Sequence, residues 1–370
     1  MSNLQLTVTR ALRKFKDRTF ELPMTRNYVA AWGFTEAIRE ILQNALDSES
    51  KFKWDYSDNV LRVISEDSKL DLKSLLLGGT TKQNDENAIG SFGEGYKLAL
   101  LVLTRLSYDV KVFNAGVLWT PCFKKSTKFG EETLHIEETW VENPPKGLVF
   151  QIGGVPEYRY EDIVKRCLPM QNPSTFGKVL HTIMGDIHVD VPGSLYVNGL
   201  FVCKTDMRHS YDVKPEFITL ERDRQTINTW DLYNLSKEMW FLTERFDTIA
   251  DMIEAGARDM VYAEYDTPDV LKDFLYQHWK NKNPGKIAVN NSEEMKRYIE
   301  NGMTNVVIVT QSYHSILNSN DEYKAGAVVL KKDTPQEILQ KWYDSIPQGL
   351  LPNDVDVAFG NIMRNASAWR

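Results

Sequence analysis

Glu40-Ile41-Leu42-Gln43-Asn44-Ala45-Leu46-Asp47 is the stretch on which the reading of this chain turns. It sits inside residues 32–50, where Ala37, Ile38, Ile41, Leu42 and Ala45 recur at helical spacing. At ~100° per residue, Asn44 lies about 40° from Glu40 and Asp47 about 20° to its other side. Three polar side chains therefore share one narrow stripe of a helix whose opposite face is apolar. Taken alone, an acid-rich stripe is most often just a solvated helix face, so the neighbouring segments decide what this one is for.

Working outward, residues 59–65 (NVLRVIS) have the β-branched alternation of a short strand. Gly90-Ser91-Phe92-Gly93-Glu94-Gly95-Tyr96-Lys97 is a glycine-rich loop that runs straight into the apolar residues 98–103. Glycines let backbone approach a ligand, and the free N–H groups of a helix start favour an anion. Lys97 in that first turn opposes the helix dipole, which suggests a negative group nearby. The loop is neither a GxxxxGK[ST] phosphate loop nor a dinucleotide-binding turn, since no strand leads into it with a ribose-binding acid ~20 residues on. Upstream, Gly78-Gly79-Thr80-Thr81-Lys82 precedes the polar stretch 83–88. It reads either as a glycine-hinged lid bringing hydroxyls and a lysine to the same site, or as an exposed turn.

Together these motifs resemble the GHKL ATPase superfamily, which includes gyrase, the ninety-kilodalton heat-shock chaperone, histidine kinases and MutL. Glu40, Asn44 and Asp47 match its E-x-x-x-N-x-x-D in register. Thr80, Thr81 and Lys82 resemble the T-S-K lid end of MutL-type members, and Gly90, Gly93 and Gly95 match GxxGxG. The resemblance covers about residues 30–155 and extends into the following domain to about residue 260, and the wording GEGYKLALLVL is closest to phage-encoded and uncharacterised bacterial members. It implies a Bergerat α/β sandwich with a mixed sheet, ATP and Mg²⁺ as cofactors, and slow hydrolysis with lid closure and pairing of two copies on ATP. Glu40 would be the general base, Asn44 the Mg²⁺ ligand, and Lys82 and Lys97 the positive charge near the transferred group. Asp47, Gly78, Phe92, Glu94 and Tyr96 would complete the nucleotide pocket.

The second family motif, D-x-G-x-G, has no counterpart here. An ungapped alignment puts Ser65 at the adenine-reading aspartate, and sliding it by one or two places puts Glu66 or Asp67 there. The fourth element is Lys146-Gly147-Leu148, with leucine in place of a hydroxyl residue. These departures keep open an alternative in which the chain is a non-catalytic nucleotide-binding or protein-interaction module.

The remainder of the chain supplies context. Apolar residues are 42% and charged residues 26% of the 370, the balance of a folded globular protein rather than a disordered one; the α+β class is what the order of elements and the resemblance imply. Forty-four basic against 51 acidic residues give a net charge of -7, which opposes non-specific nucleic-acid binding while leaving a local basic patch open. No apolar run approaches the ~20 residues of a membrane span, and the polar, basic start is not a secretory signal, so we expect a cytoplasmic protein without membrane partners (the host cytoplasm for a phage-encoded one). The expected domains are 1–155 for nucleotide binding, 156–264 as a second α/β domain, and 265–370 as a small α/β unit. In the second domain the spacing predicts a hairpin over 186–202 turning at Pro192-Gly193, and one long amphipathic helix over 231–260. The resemblance to two-domain GHKL proteins implies a basic residue of this domain at the γ-phosphate, for which Arg222 or Arg224 is the candidate, with an interdomain ion pair as an equally weighted role. Tyr196-Val197-Asn198-Gly199 also reads as a hairpin turn, and it carries no assigned chemistry. In the last unit we expect strands at 286–289, 305–310 and 327–330, and helices at 292–300 and after Pro335.

Overall fold

The computed structural model describes residues 17–48, 51–75, 95–220, 227–326, 334–347 and 349–365. Seven strands build the first sheet: β1 (Arg18–Thr25), β2 (Phe52–Ser57), β3 (Val60–Ser65), β4 (Asp109–Asn114), β5 (Val117–Lys125), β6 (Glu132–Trp140) and β7 (Leu148–Gly153). Two helices interrupt them, α1 (Phe34–Leu46) between β1 and β2 and α2 (Gly95–Arg105) between β3 and β4. The strand order is β1-β6-β5-β4-β7-β3-β2.

Every pairing in this sheet is antiparallel, which corrects the mixed sheet expected from the sequence. The reason lies in one insertion. The crossover through α2 leaves β3 and β4 running the same way, but β7 enters between them and pairs antiparallel with both, Val63 and Val112 each facing Phe150. The architecture is α+β.

α1 and α2 pack on each other, α1 onto β3 and α2 onto β4 and β5. Ala37, Ile38, Ile41 and Leu42 of α1 meet a second helix whose residues from Leu98 to Leu103 are nearly inaccessible, with Leu61, Val63, Val112 and Trp119 below them. Arg105, at the end of α2, donates to the carbonyls of Arg26 (3.2 Å), Tyr28 (3.1 Å), Val29 (3.3 Å) and Trp32 (2.7 Å). One guanidinium thus satisfies a stretch of backbone that leads into α1 without strand or helix partners of its own.

The chain continues through α3 (Glu157–Arg166) into a second sheet of β8 (Val179–Thr182), β9 (Gly185–His188), β10 (Ser194–Val197), β11 (Leu200–Lys204) and β12 (Ser210–Val213). Its order is β11-β10-β12-β9-β8, with β10 and β12 parallel and the other pairs antiparallel. The hairpin expected at Pro192-Gly193 does not form. β12 lies between β9 and β10, and the true turn is Asn198-Gly199, joining β10 to β11. Both turn residues have positive φ, 49° and 77°, as a two-residue connection between twisted strands requires.

The single helix expected over 231–260 is divided into α4 (Thr229–Phe241) and α5 (Phe246–Glu254), then a 3₁₀ turn at Arg258–Met260. The break occurs at Glu244, whose φ of 53° no helix can hold. Asp259, fully buried, fastens this region to the second sheet by accepting from the amides of Arg208 (2.6 Å) and His209 (3.2 Å) and from the Tyr211 hydroxyl (2.5 Å). Burial, with the Asp259 carboxylate alongside, drives the Tyr211 hydroxyl well above the usual phenol range.

By its contacts the chain divides into two units, residues up to 252 together with 256–262, and residues 253–255 together with 263–370. Both large sheets belong to the first, so the division expected near residue 155 falls inside it. The second unit contains α6 (Asp269–Lys282), β13 (Ile287–Val289), α7 (Ser292–Glu300), β14 (Val306–Ile308), α8 (Gln311–Ser319), α9 (Asp321–Gly326), α10 (Pro335–Asp344) and α11 (Asn353–Asn365). β13 and β14 pair in parallel across α7, a small crossover unit. The strand expected at 327–330 lies outside the described residues. Cys122, Cys167 and Cys203 form no disulfide. Among the described residues no helix is long and apolar enough to cross a membrane.

Candidate functional site

α1 begins after Gly33, whose amide donates to Glu36 Oε2 at 2.8 Å, and its first turn is thereby closed by its own carboxylate. From that start the helix carries Glu40 and Asn44 to the N-terminus of α2. The Glu40 carboxylate lies directly against the Cα of Gly95. A Cβ placed on residue 95 would come within 2.0 Å of Glu40 Oε2, 3.1 Å of its Cδ and 3.5 Å of Asn44 Nδ2. Only glycine leaves room for this approach. Glu40 is 5% exposed, so the polar stripe is not a solvated face at this position. Asn44 donates from Nδ2 to the Glu40 carbonyl at 2.6 Å, which ties its side-chain amide to the backbone of α1.

Gly95, Tyr96 and Lys97 form the first turn of α2, and Tyr96 and Lys97 are both buried, Lys97 completely. Its ammonium stands 5.8 Å from the Tyr96 ring centroid. Lys97 is thus an interior cation, a placement that proteins tolerate only when the charge is compensated. Gly78, Thr80, Thr81, Lys82, Gly90, Phe92, Gly93 and Glu94 lie outside the described residues, as do Arg222 and Arg224.

The residues expected near the base gather at the far end of β3. Ser65 is buried, in register with Phe52 of β2 on one side and Leu148 of β7 on the other. Gly147, at φ 82°, presses against the same point, and a Cβ there would come 2.4 Å from the Ser65 carbonyl and 2.5 Å from that of Glu66. The second and fourth sequence elements therefore meet. Asp67 projects outward and pairs at 3.8 Å with Lys146, both more than two-thirds exposed. Glu66 is held below the ordinary carboxylate range by its hydrogen bond from Lys53, at 2.5 Å. Asn114 grips the following backbone, accepting from the Leu70 amide at 2.9 Å and donating to its carbonyl at 2.8 Å.

Asp47 faces elsewhere. It ends α1, and its Oδ1 accepts from Asn198 Nδ2 at 3.3 Å, a contact to the second sheet that nothing in the sequence indicated. On the side of α1 away from Glu40, a cleft of about 270 Å³ opens between Thr35, Arg39 and Leu42, Ile163 and Arg166 of α3, and Phe201 of β11. Among the described residues no cluster of three or more His, Cys, Asp or Glu side chains could hold a metal on protein ligands alone.

No known family model matches the chain. It is 25% identical over 221 residues to an uncharacterized protein of Mycoplasma pneumoniae, a match covering 55% of this chain and 89% of that protein.

Proposed function

We propose that the chain binds ATP with Mg²⁺ at the junction of α1 and the start of α2, and hydrolyses it slowly in the manner of GHKL ATPases. The observation that carries this reading is the seating of Glu40 and Asn44 against Gly95, at the start of the helix that the glycine-rich stretch leads into. The Glu40 carboxylate and the Asn44 side-chain amide are thereby held beside the start of a helix, whose backbone amides favour a phosphate.

The donor set suits a hard cation: Asn44 offers a neutral amide oxygen on a side chain tied to the backbone of α1. With no three-residue cage among the described residues, such an ion would take remaining ligands from phosphate and water, and when bound it would neutralise charge on the phosphates. Glu40 is the general base that orients and deprotonates water, working from a site where burial limits its motion. Gly95 keeps that carboxylate close to the helix start, and Lys82, on the evidence of its motif, supplies positive charge to the transferred group. Pairing of two copies on ATP belongs to the same proposal and is checked by light scattering with and without nucleotide.

The adenine end favours weaker recognition. Ser65 is buried between two paired strands and Asp67 is turned to solvent, which supports the second reading, a binding module with little or no turnover. Glu40→Gln separates the two. Under the ATPase reading it binds ATP and Mg²⁺ in calorimetry while turnover falls at least about a hundredfold, in the range set by losing a positioned base. Equal turnover by wild type and variant points to the module, and absence of ATP and ADP binding by the wild type removes the ATPase reading and leaves only a protein-interaction module.

A further inference from the structure

The Asn198-Gly199 turn is held on several sides. The Asn198 amide donates to the Val213 carbonyl at 3.0 Å, and the Gly199 amide to Asp212 Oδ1 at 2.7 Å. The Gly199 carbonyl accepts from the Leu168 amide at 2.8 Å, and a Cβ on Gly199 would come 2.8 Å from Pro169 Cδ. From this fixed tip the Asn198 amide reaches Asp47. Asp47 stands at the C-terminus of α1, where a negative charge opposes the helix dipole, so the helix alone gives no reason for an acid there. The same hairpin draws back from the earlier turns of α1, leaving the cleft between Phe201 and Arg39. Helix and second sheet are thus pinned at one end and parted at the other.

We propose that Asp47 is a positioning residue rather than a contact to the nucleotide: clasped by the Asn198 amide, it ties the Glu40–Asn44 helix to the second sheet, so that ATP on α1 and the arrangement of β10 and β11 are coupled. The clasp is independent of the nucleotide reading; its consequence for ATP rests on that reading. Coupling of this kind typically changes affinity by about 5- to 150-fold.

The test exchanges the partners. Asn198→Asp sets two carboxylates face to face, Asp47→Asn leaves two amides, and the double variant rebuilds one hydrogen bond with donor and acceptor reversed. Asn and Asp both tolerate the positive φ of position 198, so the turn itself survives. Calorimetry with ATP and Mg²⁺ on the full chain should show Asn198→Asp about tenfold weaker and the double variant within about twofold of wild type. Hydrogen exchange should show ATP protecting residues 194–204 in wild type and the double variant, and not in Asn198→Asp. The proposal is overturned if Asp47→Asn and the double variant bind equally weakly, since Asp47 would then touch the nucleotide itself, or if Asn198→Asp binds as wild type. Should wild type bind no ATP, the nucleotide reading fails separately. Urea unfolding then decides the clasp, standing if the double variant regains the midpoint lost by Asn198→Asp and falling if it does not.

Discussion

Gly95→Ala isolates the contact on which the candidate site depends. A Cβ at residue 95 would lie 2.0 Å from Glu40 Oε2, and contacts under 3.0 Å essentially never occur, so the carboxylate must retreat by about 1 Å. Two opposed effects follow. Alanine stabilises a helix relative to glycine by up to about 1 kcal/mol. Displacing a nearly buried carboxylate costs more, since Glu40 is 5% exposed and closely packed. The net expectation in wild type is a loss of about 1 kcal/mol, whereas in a Glu40→Ala background the same substitution gains a few tenths to 1 kcal/mol. The resulting coupling of about 1–2 kcal/mol lies in the range found for residues in direct contact. Urea unfolding of the four proteins measures it without recourse to activity. In parallel, a base misplaced by 1 Å should lower ATP turnover about a hundredfold while ATP binding changes much less. If Gly95→Ala stabilises both backgrounds equally, the carboxylate does not rest on this Cα. If turnover stays within about threefold of wild type, Glu40 is not the base.

Other expectations concern the frame around the site. Arg105→Ala should cost about 2–3 kcal/mol in urea unfolding and sensitise residues 26–33 to proteolysis, because four carbonyls lose their charged donor. Burial pushes the Asp212 carboxyl up from its ordinary value to about 6, so the folded chain carries an ionisation penalty at pH 7 that disappears as pH falls below about 4. Asp212→Asn keeps an acceptor for Gly199 and should raise the melting temperature at pH 7 to 8 but not near pH 4; an equal gain at both would refute the assignment. His188 has the opposite sign. Its ring nitrogens are buried without a hydrogen-bond partner among the described residues, and burial lowers its pKa. Below pH 6.5 the unfolded chain takes up a proton that the folded one resists, so stability falls with pH, and His188→Leu should flatten that slope.

Much of the site's frame was legible because it is local. Helical spacing over 32–50 becomes α1 at Phe34–Leu46, and NVLRVIS becomes β3 at Val60–Ser65. Neither pattern contains information about neighbours. Alternation fixes which face of a strand is buried but not which strand lies beside it, so the insertion of β7 between β3 and β4 could not be read. The hairpin error was of a different kind. Two turn signals lay six residues apart, and Asn198-Gly199, with two positive-φ positions, matches a two-residue hairpin better than Pro192-Gly193 does. The divided helix had no signal at all, because apolar stepping continues across Glu244 with neither glycine nor proline to mark the break. Arg105 and Asn198 were missed because each acts on backbone or side chains far away in sequence, 73 to 79 residues for the first and 151 for the second.

The burial of α1 bears on what its polar stripe is for. A solvated face would leave Glu40, Asn44 and Asp47 all accessible, yet Glu40 is 5% exposed and Asn44 and Asp47 are half-buried. Removing a carboxylate from water is costly unless something compensates it, and a helix selected only for packing would place an apolar residue against α2. Instead position 95 is a glycine whose missing side chain is what gives the carboxylate room. The acid and the glycine form a pair: glycine gives up helix stability at position 95, and its missing side chain makes the space that the carboxylate fills. The two positions are therefore coupled, and under the proposed reading the room left at 95 is what lets the base sit at the helix start. Ala at position 40 together with Ala at 95 frees that space, so this pair should unfold at a higher urea concentration than Gly95→Ala alone, and under the proposed ATPase reading it binds nucleotide without turnover.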